Sequence, residues 1–97
     1  MNIKELYLKA LHKWGPDRQF YLLIEECSEV QKECTKILRG ERMDTEFDKN
    51  LFLEIVDLEI MLEKMKLYYN RKGQYDKMMK EHKLEKLKLI SRKLQDE

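Results

Sequence analysis

Ile3, Leu6, Tyr7, Ala10, Leu11 and Trp14 recur at the i, i+3, i+4, i+7, i+8, i+11 spacing of one helical face, with Lys4, Glu5, Lys9 and Lys13 opposite. Gly15-Pro16-Asp17 ends this first predicted helix, Gly as terminator and Pro as the opening residue of the next. A second helix is predicted over 16–39, stopped at Gly40, with Phe20, Leu23, Cys27, Val30, Cys34, Ile37 and Leu38 as its core stripe. The polar run 39–44 reads as a connection, and Asp44 or Thr45 as the cap of a third helix over 45–69. That third helix is apolar over most of its circumference, so it is expected to be central or to touch two neighbours. Asn70-Arg71-Lys72-Gly73 terminates it, and a fourth helix over 75–94 carries Met79, Lys83, Leu87, Ile90 and Leu94 on one face. The expected architecture is all-α, a four-helix bundle-like protomer forming one domain over 1–97.

Two acidic pairs break this pattern. Glu54 and Asp57 fall on the same arc as Leu51, Leu58, Met61, Met65 and Tyr68, while Glu59, Glu63 and Lys66 mark the wet side. An ionised carboxylate in an apolar seam costs several kcal/mol unless it is paired or bound to a metal. Glu26 and Glu29 repeat the spacing of three on the preceding helix, with Glu25 beside them, and residues at i and i+3 project from one side. Across antiparallel helices the two pairs place four carboxylates around one point. An oxygen-only ligand set favours a hard divalent ion, Mg²⁺ or Mn²⁺, and such ions hold phosphates and lower the pKa of bound water. The pattern points to metal-assisted chemistry on a phosphate ester or anhydride. In a chain this charged, Glu-Glu-x-x-Glu is also what an ordinary solvated helix face looks like, with Lys32, Lys36 or Arg39 as structural partners for the acids.

Composition narrows the alternatives. One Pro and three Gly among 97 residues, 40% of them charged and 42% apolar, fit helices with short connections and no sheet. Twenty basic and nineteen acidic side chains nearly cancel, so the whole-chain field recruits neither a nucleic acid polymer nor a membrane surface. No apolar run matches a signal peptide or a membrane span, and a cytoplasmic location is expected. Cys27 and Cys34 lie seven apart on one predicted helix, too far to bridge each other, and are expected as buried reduced thiols. His12 and His82 lie outside the acidic segments, and no glycine-rich phosphate loop is present.

Glu25-Glu26-x-x-Glu29, then 24 residues, then Glu54-x-x-Asp57 resembles the signature of the MazG-like nucleoside triphosphate pyrophosphohydrolases, in the all-α superfamily that also holds the dimeric dUTPases. Trp14-Gly15 and Gln19 resemble the compact, phage-type members. The likeness is specific from Trp14 to about Lys66 and vague beyond. It implies hydrolysis of a nucleoside triphosphate, often a deoxynucleotide or a non-standard one, to the monophosphate and pyrophosphate. It carries magnesium ligation onto Glu26, Glu29, Glu54 and Asp57, with Glu25 a further ligand or an orienter of the water. It also implies a homo-oligomer, dimer or tetramer, which suits a third helix apolar nearly all round.

Lys36, Arg39 and Lys83 are candidates to bind the triphosphate, Lys83 because it sits on an apolar face; snorkelling of its stem over the core is the plain alternative. Trp14 or Phe20 is placed to stack on a base and Gln19 to hydrogen-bond one, though as core residues and a helix-start polar group they need no such role. The strongly basic last helix departs from the family pattern. Two other readings stay open: a non-catalytic helical interaction or regulatory module, and a family member that binds nucleotide without turning it over.

Overall fold

The computed structural model of the chain describes residues 2–40 and 46–96, with the side chains of 46–48 left out. All regular structure among the described residues is helical: α1 (Ile3–Leu38), α2 (Glu46–Tyr69) and α3 (Asp76–Asp96). The proposed cap at Asp44 or Thr45 lies outside the described residues.

α1 opens with Asn2 as its N-cap, whose side-chain oxygen accepts from the Glu5 backbone N–H at 3.3 Å. The two helices expected before and after Gly15 run together as α1, but the join is not straight. Gly15 sits at φ 81°, ψ 165°, a region open essentially to glycine alone, and Pro16 follows with no N–H to continue the ladder. A straight helix of 36 residues would measure about 54 Å, longer than the 42 Å of the whole molecule. α1 is therefore a pair of arms, 3–14 and 16–38, joined at a bend.

Among the described residues, α1 is the helix that α2 packs against. Leu11 from the first arm, and Met61 and Met65 from α2, form the buried apolar core, joined by Gln19 from the second arm. The Tyr7 hydroxyl donates to Glu63 Oε2 at 2.8 Å, so the first arm also lies along α2. The expectation that this helix meets two neighbours is thus met by the two arms of α1.

The expected core stripe of the second arm is largely corrected. Leu23 and Val30 are half-buried, whereas Phe20, Cys27, Cys34, Ile37 and Leu38 are exposed. Both cysteines are free and exposed, not buried. The reason is rotational: the side of this arm turned to α2 is the one bearing Gln19, Glu26, Val30 and Glu33, so the remainder of the apolar arc faces outward.

Among the described residues α3 buries no side chain and packs on neither α1 nor α2, so they form an all-α hairpin with a projecting helix and show no closed four-helix bundle. A hydrogen-bonded elbow holds the projection. The Tyr75 backbone N–H donates to Asn70 Oδ1 and Asn70 Nδ2 donates to Asp76 Oδ1, both at 2.7 Å, while Gln74 Nε2 donates to the Tyr69 carbonyl at 3.0 Å. Gly73 at the elbow has φ 70°, and a Cβ there would stand 2.8 Å from Asp76 Oδ2.

Candidate functional site

The second arm of α1 and α2 bring the two acidic pairs together. One carboxylate oxygen each from Glu26, Glu54 and Asp57 lie within 4.8 Å of one another. Glu26 and Glu54 are half-buried and Asp57 is exposed, so the group sits at the rim of the interhelical seam. Such spacing arises because i and i+3 positions on each helix point to one side, and the antiparallel run of the second arm against α2 stacks the pairs across the seam.

Electrostatics record the crowding. Burial, followed by the charges of Asp57, Glu54, Glu25 and Glu29, holds the Glu26 carboxyl above the usual carboxylate range. Desolvation likewise raises Glu54, with Glu29, Asp57 and Glu33 adding to the effect and Lys32 opposing it. Four further carboxylates, Glu25, Glu29, Glu33 and Asp57, thus act on Glu26 or Glu54, and Lys32 is a cation felt at Glu54. Glu29 belongs to the cluster electrostatically, although the tight oxygen group comprises the other three. Glu25 is exposed at its edge.

Glu33 is the member that sequence reading missed. It is buried and paired with Lys36 Nζ at 3.6 Å. The signal was present in the spacing, since Glu33 follows Glu26 by seven and Glu29 by four on the same helical face.

The candidate substrate-binding residues scatter. Gln19 is fully buried, with neither its Oε1 nor its Nε2 hydrogen-bonded, so in this arrangement it lies inside the core and not at a helix-start surface. Trp14 is half-exposed, with Lys13 Nζ 5.4 Å from its ring centroid, and Phe20 is also exposed, 5.8 Å from the Tyr69 ring. Lys36 and Arg39 line a shallow surface hollow of the second arm with Ser28, Gln31, Lys32 and Thr35. Lys83 is exposed on α3, which packs on neither cluster-bearing helix, so one chain does not bring it to the acids. Its neighbours across a second hollow, at the inside of the elbow, are Lys66, Met79, Lys80, His82 and Lys86.

Chemically, clustered carboxylates at a seam rim offer oxygen ligands to a hard cation and a base for a water proton. Exposed acidic groups also occur with no ion. No known family, curated protein or solved structure matches the chain. Nor is any helix among the described residues long and apolar enough to cross a membrane.

Proposed function

We propose that this chain is a Mg²⁺-dependent pyrophosphohydrolase of a nucleoside triphosphate, a deoxynucleotide or a non-standard one, working as a homo-oligomer in nucleotide-pool housecleaning. The observation that carries the reading is the approach of Glu26, Glu54 and Asp57 to within 4.8 Å from two different helices, which supports three of the four ligands that the MazG-like resemblance implies. Burial first, and neighbouring carboxylates after it, raise Glu26 and Glu54, and like charges this close call for a countercharge. Glu26, Glu29, Glu54 and Asp57 would hold Mg²⁺, with Mn²⁺ as a substitute. Bound there, the ion supplies neutralisation of the triphosphate and a more acidic water.

The chain's own groups do the rest. The carboxylates fix the position of the water opposite the leaving pyrophosphate, and one of them, Glu25 or Glu29, takes its proton as the α-phosphorus is attacked. Cations that meet the triphosphate come from Lys32, Lys36 and Arg39 on the second arm.

Incubation with a panel of deoxynucleoside and nucleoside triphosphates and Mg²⁺ tests the reading by release of pyrophosphate. Loss of at least a hundredfold in rate is expected for Glu29→Gln and for Asp57→Asn. Turnover that survives both changes sinks the site. Tight nucleotide binding without product favours the inactive-binder reading instead. The exposed apolar side chains on every helix favour an interaction module as the second reading, and it is the one left standing if neither turnover nor nucleotide binding occurs.

A further inference from the structure

The inside of the elbow between α2 and α3 holds two joined hollows that the candidate site does not use. The first, of about 320 Å³, lies against the bend and is walled by Met65 and Tyr69 from α2 and by Tyr75, Met78 and Met79 beyond it. The second, of about 720 Å³, runs on along α3; it shares Lys66 and Met79 with the first and adds Lys80, His82, Lys83 and Lys86. Tyr69, Tyr75 and Met78 are 44%, 45% and 59% exposed, so no described residue covers the first hollow. Three of the chain's six Met and two of its five Tyr gather there. Met and Tyr are the residues of surfaces that adapt to a partner, Met through its flexible thioether and Tyr through its amphipathic ring. Asn70 bonds both Tyr75 and Asp76 at 2.7 Å, which holds the walls in place before anything binds between them.

Charge decides what kind of partner fits. The whole chain has a net charge of +1, yet the second hollow is lined by four Lys and one His and by no carboxylate. At about 100° per residue, Lys83 and Lys86 fall within about 40° of Met79 around α3, while Glu81 and Glu85 fall about 120° or more away. Glu81 pairs instead with Lys77 Nζ, at 3.9 Å on the outer side. A partner that lays an apolar stripe in the first hollow meets cations of one sign beside it, and so must bring acids. A bilayer surface is flat on this scale and does not enter the angle between two helices, whereas one more helix, about 10–12 Å across, does. We infer that the inside of the elbow is a docking groove for an amphipathic helix of a partner protein, apolar along one face and acidic beside it. Its anchors, at i, i+3, i+4 and i+7, seat among Met65, Tyr75 and Met78 and carry the affinity, while its acids meet Lys80, Lys83 and Lys86. The groove shares no residue with the acidic cluster, so it stands or falls independently of the hydrolase reading.

The probe is a fluorescein-labelled helical peptide with Leu at the anchor spacing and Glu elsewhere, and its counterpart carries Lys in place of every Glu. Fluorescence anisotropy on the full chain is expected to show saturable one-to-one binding of the acidic peptide, roughly tenfold or more tighter than that of the basic one. Methyl spectra of protein labelled at methionine should show Met65, Met78 and Met79 shifting with the peptide while Met61, inside the α1 and α2 core, stays put. Lys80→Glu/Lys83→Glu/Lys86→Glu should cancel the preference for acid, and Met78→Ala/Met79→Ala should weaken the acidic peptide by roughly tenfold. If the triple variant loses helix by circular dichroism, the alanine pair, which favours helix, carries the test. Equal binding of the two peptides, no saturable binding, or shifts confined to other methionines overturns the inference. So does binding unmoved by the alanine pair. Phosphatidylserine vesicles that move the same three methyls in preference to the peptide would assign the groove to lipid, and movement of those methyls on simple dilution of the protein would assign it to a second copy; either result overturns the inference.

Discussion

The Tyr7 hydroxyl and the Glu63 carboxylate, 56 positions apart, meet at 2.8 Å and tie the first arm of α1 to α2. The hydrogen bond to Glu63 leads the causes that hold the Tyr7 phenol above its ordinary value of 10.0, followed by desolvation and the Glu63 charge. A phenol raised on folding stabilises the fold fully below pH 10 and loses that contribution as pH climbs through the raised value. Tyr7→Phe should therefore cost about 0.5–1 kcal/mol at this partly solvated position in urea titrations at pH 7. The difference from wild type should shrink above pH 10.

Gly15 makes the bend with nothing within 4 Å of where a Cβ would stand, so a substitution there acts on the backbone alone. Gly15→Ala is expected to cost about 1–3 kcal/mol and to weaken the docking of Leu11 and Tyr7. Chemical denaturation would register the loss, and a stability equal to wild type would show that the bend is not strained for a side chain.

Both Glu26 and Glu54 take up protons more readily in the fold than at their ordinary value of 4.5. The sign is the reverse of a salt-bridged acid: the fold gains stability as pH falls from neutrality through the raised pKa values toward 4.5, and gains no more from these groups below it. Glu54→Gln should raise the Tm in the absence of divalent ions and abolish turnover. Mg²⁺ should raise the Tm of the wild type and leave that of Glu54→Gln nearly unmoved, as scanning calorimetry will record.

Gln19 buries an amide with no partner for either end. Replacing such a group by an apolar one of similar shape removes a desolvation penalty of about 1–3 kcal/mol. Gln19→Met is expected to stabilise the protein within that range in urea unfolding.

Helix positions and the acidic convergence were legible because both rest on local rules: a 3.6-residue period, glycine punctuation and the i, i+3 projection of paired acids. The rotation of the second arm was not. Its apolar residues span more than half the circumference, so the period alone does not say which part turns inward, and Cys27 and Cys34, expected inside, face outward. Gln19, expected at a helix-start surface, and Glu33, for which the pattern carries no expectation, are polar groups drawn inside by the helix face they share with Glu26 and Val30. The projection of α3 was illegible because Met79, Leu87, Ile90 and Leu94 form a stripe that specifies burial without naming what buries it.

With no packing of α3 on α1 or α2 among the described residues beyond the elbow, the coupling that makes a small domain melt in one step is weak there. Its backbone amides should lose their protons to solvent first, well before those around Leu11 and Met65. A single midpoint would then describe only the hairpin, and α3 would keep its own, lower one.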